Sequence, residues 1–297
     1  MKQYQVVTDR IIAMLEAGTR PWVQDWSGTA GGRPLRHDGT PYKGANVLNL
    51  WAAAMSRGFQ SRTWMTYKTA AGLGGQVRKG AKSECAFYVG AVTREVEKPD
   101  GDTAERTIPF LKSYCVFNTD EIDNLPAQYY AAPPVVQLDP SARIETADAF
   151  IANTGAKILH GGGRAFYRRG TDEIHLPEFA TFGTAAGYYG TALHELAHWT
   201  GAPHRLDRTK GKVFGDPDYA FEELVAELSA AYLCADLAIS AEPREDHASY
   251  IASWIKALKS DNRHVFRAAS YAEKAAGFMH DLNGAADADA EPEALAA

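Results

Sequence analysis

The stretch His194-Glu195-Leu196-Ala197-His198-Trp199-Thr200-Gly201 decides how this chain is read. Two histidines four positions apart stand on one face of a helix, where both imidazoles can grip one metal ion, and the glutamate between them is placed as a base. A zinc site built this way keeps one position for water and lowers its pKa towards neutrality, which is hydrolytic chemistry. The spacing predicts a helix from about Thr184 to Thr200, stopped by Gly201 and Pro203, with Leu193, Leu196 and Ala197 left for the core.

Two imidazoles do not complete such a site, so a third ligand is required. The segment from Tyr219 to Leu228 is helical by period and sets Glu223 and Glu227 on one face, beside the apolar Leu224, Leu228, Ala231 and Tyr232. Carboxylates on a helix bound for the core are costly to bury unless they serve a metal or its histidines. The metal ligands are therefore expected to be His194, His198 and Glu223, with Glu195 as the catalytic base. Glu227 is expected to accept a proton from a ligand histidine, and the reverse assignment of the two glutamates stays open. The rival third ligand is His204, since the chain also fits a longer pattern in which a glycine turn brings a third histidine to the metal. That pattern includes a methionine turn, and here Met279 is the only methionine after position 65.

Upstream, Arg164–Tyr167 and Glu173–Leu176 read as a short hairpin turned by Arg169-Gly170-Thr171-Asp172. Glu173-Ile174-His175-Leu176-Pro177 is the candidate edge strand that would hold an extended substrate. Tyr188, Tyr189 and His175 are weaker candidates as oxyanion partners, because packing is the commoner role of each. Gly161-Gly162-Gly163 lacks the following Gly-Lys-Ser/Thr of a phosphate loop and reads as a turn.

The formal net charge of −6 conceals an asymmetry: residues 1–92 hold 12 Lys+Arg against 5 Asp+Glu, whereas residues 131–297 hold 15 against 24. A basic front half on an acidic chain points to a polyanion, since cations that neutralise phosphates release counterions. Three segments add aromatic residues and glycines to this charge: Arg33 to Asn46, Ser61 to Lys68 and Gly74 to Lys82. Aromatic faces stack bases and cations track the backbone of single-stranded nucleic acid. Tyr42, Lys43, Asn46, Arg62, Trp64, Lys68, Arg78, Lys79 and Lys82 are the candidate DNA-binding residues.

Around these motifs, helices are expected over Thr8–Ala17, Asn46–Arg57 and Ser141–Asn153, and helices dominate from Thr184 to Leu282. Ser83–Val92 and Phe110–Phe117 alternate apolar residues at period two, which predicts an antiparallel hairpin with a long tip over Thr93–Pro109. The prolines of Ala131-Ala132-Pro133-Pro134 mark a linker. The expected fold class is α+β in two domains: residues 1–130 binding single-stranded DNA, 131–137 linking, 138–283 mostly helical around the metal, and 284–297 a disordered acidic tail. The hydrophobic fraction of 45% and charged fraction of 23% are those of globular proteins. No run of eighteen apolar residues exists, the first residues lack the apolar core of a signal peptide, and Cys85, Cys115 and Cys234 fit unpaired thiols, so a cytoplasmic location off the membrane is expected.

The front-half phrases Pro41-Tyr42-Lys43-Gly44-Ala45-Asn46, Trp64-Met65-Thr66-Tyr67-Lys68, Gly74-Gly75-Gln76-Val77-Arg78-Lys79-Gly80 and Val116-Phe117-Asn118 resemble the N-terminal domain of the ArdC-like antirestriction proteins. That domain is also similar to the leader domain of some plasmid DNA primases. The phrases His194–Gly201, Arg205-Leu206-Asp207-Arg208 and Tyr219–Glu227 resemble the same family's zincin-like metallopeptidase domain. The resemblance implies a protein of conjugative plasmids that binds single-stranded DNA and shields incoming DNA from host restriction. The cofactor expected at the metal site is a divalent ion, Zn2+ first and Mn2+ as the alternative. Two other readings compete: a metallopeptidase whose front half recognises or regulates a protein or peptide substrate, and a metal that only supports the fold.

Overall fold

The structure is a computed structural model that describes residues 2–23, 32–97, 103–130, 139, 141–208, 217–240 and 248–294. The front half contains α1 (Lys2–Glu16), α2 (Ala45–Arg57), β1 (Trp64–Met65), α3 (Tyr67–Gly72), β2 (Gln76–Val77), β3 (Glu84–Glu97), β4 (Thr103–Asn118) and β5 (Ile122–Asp123). The back half contains α4 (Glu145–Asn153), β6 (Lys157–His160), β7 (Phe166–Arg168), β8 (Glu173–Leu176), α5 (Ala185–Thr200), α6 (Pro217–Asp236), α7 (Ala248–Ser260) and α8 (His264–Ala294).

These elements form two compact units, and neither is a continuous piece of chain. The larger comprises Met1–Arg33, Tyr42–Gln60 and Ala132–Ala297; the smaller comprises Pro34–Pro41 and Ser61–Ala131. The compact units therefore do not follow a division at residues 131–137, a segment that lies outside the described residues. Helices α1 and α2 pack with the C-terminal helices: α1 against α2 and α7, and α2 against α8. The cause is apolar surface. Val7, Ile11, Ile12 and Leu15 of α1 are buried, and Val47, Leu48, Leu50, Trp51, Ala52 and Ala53 make α2 apolar nearly all round. Such a helix needs partners on every side, and the other helices supply them.

The smaller unit is built on the hairpin of β3 and β4, with β1 on the far side of β4 and a separate pair of β2 with β5. The strands run much further than the sequence pattern suggests. Most of the expected loop Thr93–Pro109 is paired, from Thr93 opposite Thr107 out to Glu97 opposite Thr103. Its β-branched Thr93, Val96, Thr103, Thr107 and Ile108 favour strand even where polar residues interrupt the apolar alternation. Met65, Ala70, Val77, Ile122 and Leu125 form the small core beneath. Gly75 lies against it so closely that a Cβ would stand 2.6 Å from the Leu125 side chain.

In the larger unit, β8 pairs in parallel with β6 and antiparallel with β7. β8 is thus the central strand, and the expectation that Glu173–Leu176 forms the free edge is wrong. Both of its backbone edges are already occupied, the parallel partner β6 having escaped detection because Lys157–His160 is short and mostly exposed. Helix α5 packs on β7 and β8, and α6 packs against α5, α7 and α8. The Thr184 hydroxyl caps α5 by accepting from the Gly187 amide at 3.0 Å. Helix α8 continues to Ala294, through most of the stretch 284–297 expected to be a disordered tail; Ala285, Ala286, Ala288 and Ala290 are strong helix formers. No helix among the described residues is long and apolar enough to cross a membrane.

Candidate metal centre and nucleic-acid surface

Helix α5 presents His194 and His198 to α6, which carries Glu223, and all three are buried. The two Nε2 atoms lie 3.1 Å apart. Each stands 3.5 Å from an oxygen of Glu223, His194 facing Oε2 and His198 facing Oε1. One ligand atom from each of the three residues lies within 4.8 Å of the others, close enough for all three to reach one metal ion at bond lengths of about 2.0–2.2 Å. Two imidazoles and one carboxylate are the donor set that catalytic zinc sites use, with a further position left for water. Burial opposes the Glu223 charge, yet His198 and His194 hold its carboxyl well below the usual range, so it stands ionised as a ligand must.

The outer nitrogens of both histidines face carboxylates. His194 Nδ1 lies 3.7 Å from Glu227 Oε2, which puts the expected orienting residue beside that ligand. His198 Nδ1 lies 3.3 Å from Oε1 of Glu222, a residue the sequence reading passed over. Glu222 is also gripped by Arg208, whose Nε and Nη2 donate to it at 3.1 and 2.9 Å. Burial works against the Glu222 charge, but His198 and Arg208 keep its carboxyl low. The signal available in the sequence was a third carboxylate on an apolar helix; the pairing with Arg208 depends on the fold. Glu195 is buried between the two histidines in sequence. His204 is elsewhere: its side chain is 63% exposed and pairs with Asp172 at 3.3 Å, so the histidine alternative does not join this cluster.

The weaker oxyanion candidates are engaged in packing. Tyr189 accepts from the Ile144 amide at 2.9 Å, and the Tyr188 hydroxyl bonds His160 at 2.8 Å. His175 stacks on Phe166 with ring centroids 4.6 Å apart.

The candidate DNA-binding residues are divided between the units. Tyr42, Lys43 and Asn46 belong to the larger, where Tyr42 and Asn46 are buried and Lys43 is exposed. Arg62, Trp64, Lys68, Arg78, Lys79 and Lys82 belong to the smaller. Trp64 is 1% exposed and Tyr42 2%, so neither offers a ring face to a base, and both expectations are corrected: the aromatics pack in the interior. Arg62 is half-buried, and burial lowers its pKa. Lys68, Lys79 and Lys82 are exposed. Arg78 is exposed too but donates to Asp123 at 2.7 Å and to the Asp120 carbonyl at 2.9 Å. Among the described residues of the smaller unit, the most exposed rings are Tyr67 and Tyr88, 54% and 53% accessible, with Tyr130 at 48%. The alternation in β3 already set Tyr88 on the face opposite the buried Phe87.

A buried two-histidine, one-glutamate cluster between two helices, with a small sheet packed on the first, is the arrangement of a zincin-like metallopeptidase domain, and it lies in the C-terminal part of the larger unit. Residues 145–271 match the family described as Zincin-like metallopeptidase, and residues 1–117 match the N-terminal domain of anti-restriction factor ArdC. The crystal structures of antirestriction ArdC protein from the R388 plasmid are 44% identical to this chain. The metal-free one has a TM-score of 0.81 over 96% of this chain and 98% of that one; the Mn(II)-bound one has 0.79 over 94% and 97%. The uncharacterized protein y4eC of Sinorhizobium fredii is 41% identical, over 93% of this chain and 91% of its own length. DNA primase TraC of Escherichia coli is 40% identical over 93% of this chain, which spans 27% of the primase. The chain belongs to the ArdC antirestriction family. The donor set, the zincin-like domain and the Mn(II)-bound relative together support a divalent metal at this centre.

Proposed function

We propose that this chain binds single-stranded DNA and protects incoming plasmid DNA from host restriction during conjugation, with a metal-dependent peptidase-like centre in its larger unit. The cluster of His194, His198 and Glu223 is the observation that carries the hydrolytic part. Zn2+ is the ion that a set of two imidazoles and one carboxylate favours, with Mn2+ as the alternative suggested by the manganese-bound relative. A bound ion would supply Lewis acidity, polarising a carbonyl and lowering the pKa of water. Glu195 then takes the proton of the attacking water and returns it to the leaving amine. Glu222 bonds the outer nitrogen of His198 at 3.3 Å and Glu227 faces that of His194 at 3.7 Å, an arrangement that favours Nε2 of each ring as the ligating atom.

The DNA-binding reading rests on family membership and on the exposed cations of the smaller unit. Lys68, Lys79 and Lys82 are the contacts proposed for phosphates on the smaller unit, joined there by Arg78 and Arg62; Lys43 is the exposed candidate cation of the larger unit. Tyr67 and Tyr88 replace Tyr42 and Trp64 as the stacking faces. The test is an electrophoretic shift with single-stranded and duplex oligonucleotides across a salt series. Preference for single strands with steep salt weakening is expected, and salt-independent or absent binding would sink the reading.

The competing reading is a metallopeptidase for which DNA binding is incidental, and the paired carboxylates behind both histidines favour it. Protection of conjugated DNA by Glu195→Gln discriminates: protection that survives argues for binding, and protection that disappears argues for hydrolysis.

A further inference from the structure

The orienting carboxylate of the metal centre is itself held by the N-terminal segment. Oε2 of Glu227 faces His194, while Oε1 accepts a hydrogen bond from Trp22 Nε1 at 3.2 Å and lies 3.6 Å from Arg20 Nη1. All of these residues belong to the larger unit, although more than two hundred positions separate Trp22 from Glu227. One carboxylate therefore links the start of the chain to a candidate ligand.

The segment is placed for this task by its own structure. Helix α1 ends at Glu16; two residues on, Gly18 has a left-handed φ of 77°, and the Thr19 amide bonds back to the Met14 carbonyl at 2.8 Å. The chain is thereby turned into the stretch 18–23, where the Val23 amide bonds the Arg20 carbonyl at 3.0 Å. The Trp22 ring is buried and meets Trp254 of α7 edge to face, with centroids 5.9 Å apart. Trp254 in turn donates to the Ala220 carbonyl of α6 at 2.9 Å, on the helix that carries Glu223 and Glu227. The indole N–H is thus fixed by packing on the elements that build the site.

We infer that Trp22 and Arg20 are positioning residues of the metal centre, so that docking of the segment Gly18–Val23 and metal affinity are coupled. The inference rests on the metal-centre reading above. When His194 ligates through Nε2, its remaining proton sits on Nδ1 and faces Glu227. Left to itself, a buried carboxylate can rotate away; the indole N–H and the nearby guanidinium locate Oε1, which leaves Oε2 facing His194. Because coupling is reciprocal, metal binding must also stabilise the docked segment.

The test uses the full chain, freed of metal, with Zn2+ titrated against a chromogenic competing chelator. Trp22→Phe keeps a ring against Trp254 and removes only the N–H; Arg20→Gln removes the charge. Each is expected to weaken Zn2+ affinity, Trp22→Phe by about 10–100-fold, the range for partners of metal-bound histidines. In hydrogen exchange on the unaltered protein, the amides of residues 18–23 are expected to slow when Zn2+ is added. A purely structural tryptophan would lower the melting temperature of the metal-free protein and leave affinity unchanged, which would overturn the inference. Should Trp22→Phe fail to fold, Arg20→Gln and the exchange data decide alone. If the unaltered protein binds no metal, the metal-centre reading falls and this inference with it. If it binds and both variants bind as tightly, only this inference falls.

Discussion

Arg208 holds Glu222 by two hydrogen bonds, of 3.1 and 2.9 Å, in the buried layer directly behind His198. The guanidinium also reaches the Thr200 hydroxyl at 2.8 Å and the Ala197 carbonyl, so it closes the C-terminal end of α5 onto α6. Removing one partner of a buried ion pair leaves the other charge uncompensated, at about 3–5 kcal/mol. Arg208→Ala is expected to lose stability of that order in urea titration. Glu222→Gln, which keeps the shape, is expected to fold and to weaken metal affinity by about 10-fold or more. Unchanged affinity in Glu222→Gln would make this pair a structural clamp only.

Glu195→Gln separates chemistry from metal binding. The glutamate is buried beside His194 in sequence but lies outside the three-residue donor cluster. A general base contributes about 10²–10⁴-fold to rate, so any measurable hydrolysis should fall by at least that lower figure. The metal dissociation constant should stay within about 3-fold of the original, by competition titration. A large loss of affinity would move Glu195 from base to ligand.

Much of the metal site was legible in the sequence because it is local. Histidines four apart, and Glu223 and Glu227 four apart, need only a helix to share a face; both helices were marked by period, and the first also by its Gly201 and Pro203 stop. Glu222 was hidden because its meaning depends on Arg208, and Trp22 because its partner lies on a distant helix. The sheet order was misjudged for a related reason: the parallel pairing of β6 with β8 joins segments that no turn chemistry connects. In the front half, composition registered aromatic and basic clustering, but burial sorts such residues and composition does not. Trp64 and Tyr67 stand three positions apart, one in the core and one in solvent.

Acid should unclamp the turn before β8. Arg205 donates to Asp172 from both Nη atoms and to the Trp199 carbonyl at 2.7 Å from Nε, tying that turn to the end of α5. The Arg205 hydrogen bond is the main cause that holds the Asp172 carboxyl down at about 2, against an ordinary 3.8. A carboxyl depressed in the folded state adds stability that is complete above its unfolded value. That stability is lost as pH falls through the folded value. The difference in urea midpoint between the unaltered protein and Asp172→Asn should therefore be constant near neutrality, shrink as pH falls through about 3.8 and vanish only below about pH 2. Its size should not exceed about 1 kcal/mol, because the aspartate is over one-third exposed. A difference that persists undiminished below about pH 2 would assign the effect to packing.

Burial makes opposite predictions for two neighbouring aromatics. Trp64→Ala removes a ring that is 1% exposed and should cost about 3–5 kcal/mol of stability, whatever it does to DNA binding. Tyr67→Ala removes a ring that is 54% exposed, so stability should hold while single-stranded DNA affinity falls by about 1–3 kcal/mol if the ring stacks a base. Beside it on α3, Lys68 is exposed, as is Lys79, and neither forms an ion pair among the described residues, whereas Arg78 is engaged with Asp123. Lys68→Ala combined with Lys79→Ala should thus lower the slope of log affinity against log salt by about 1.4, or 0.7 for each released counterion. Arg78→Ala alone should lower it less, since Asp123 already offsets that charge. Fluorescence anisotropy with a labelled oligonucleotide over a salt series measures both quantities. An unchanged slope in the double variant would move the phosphate track away from this surface.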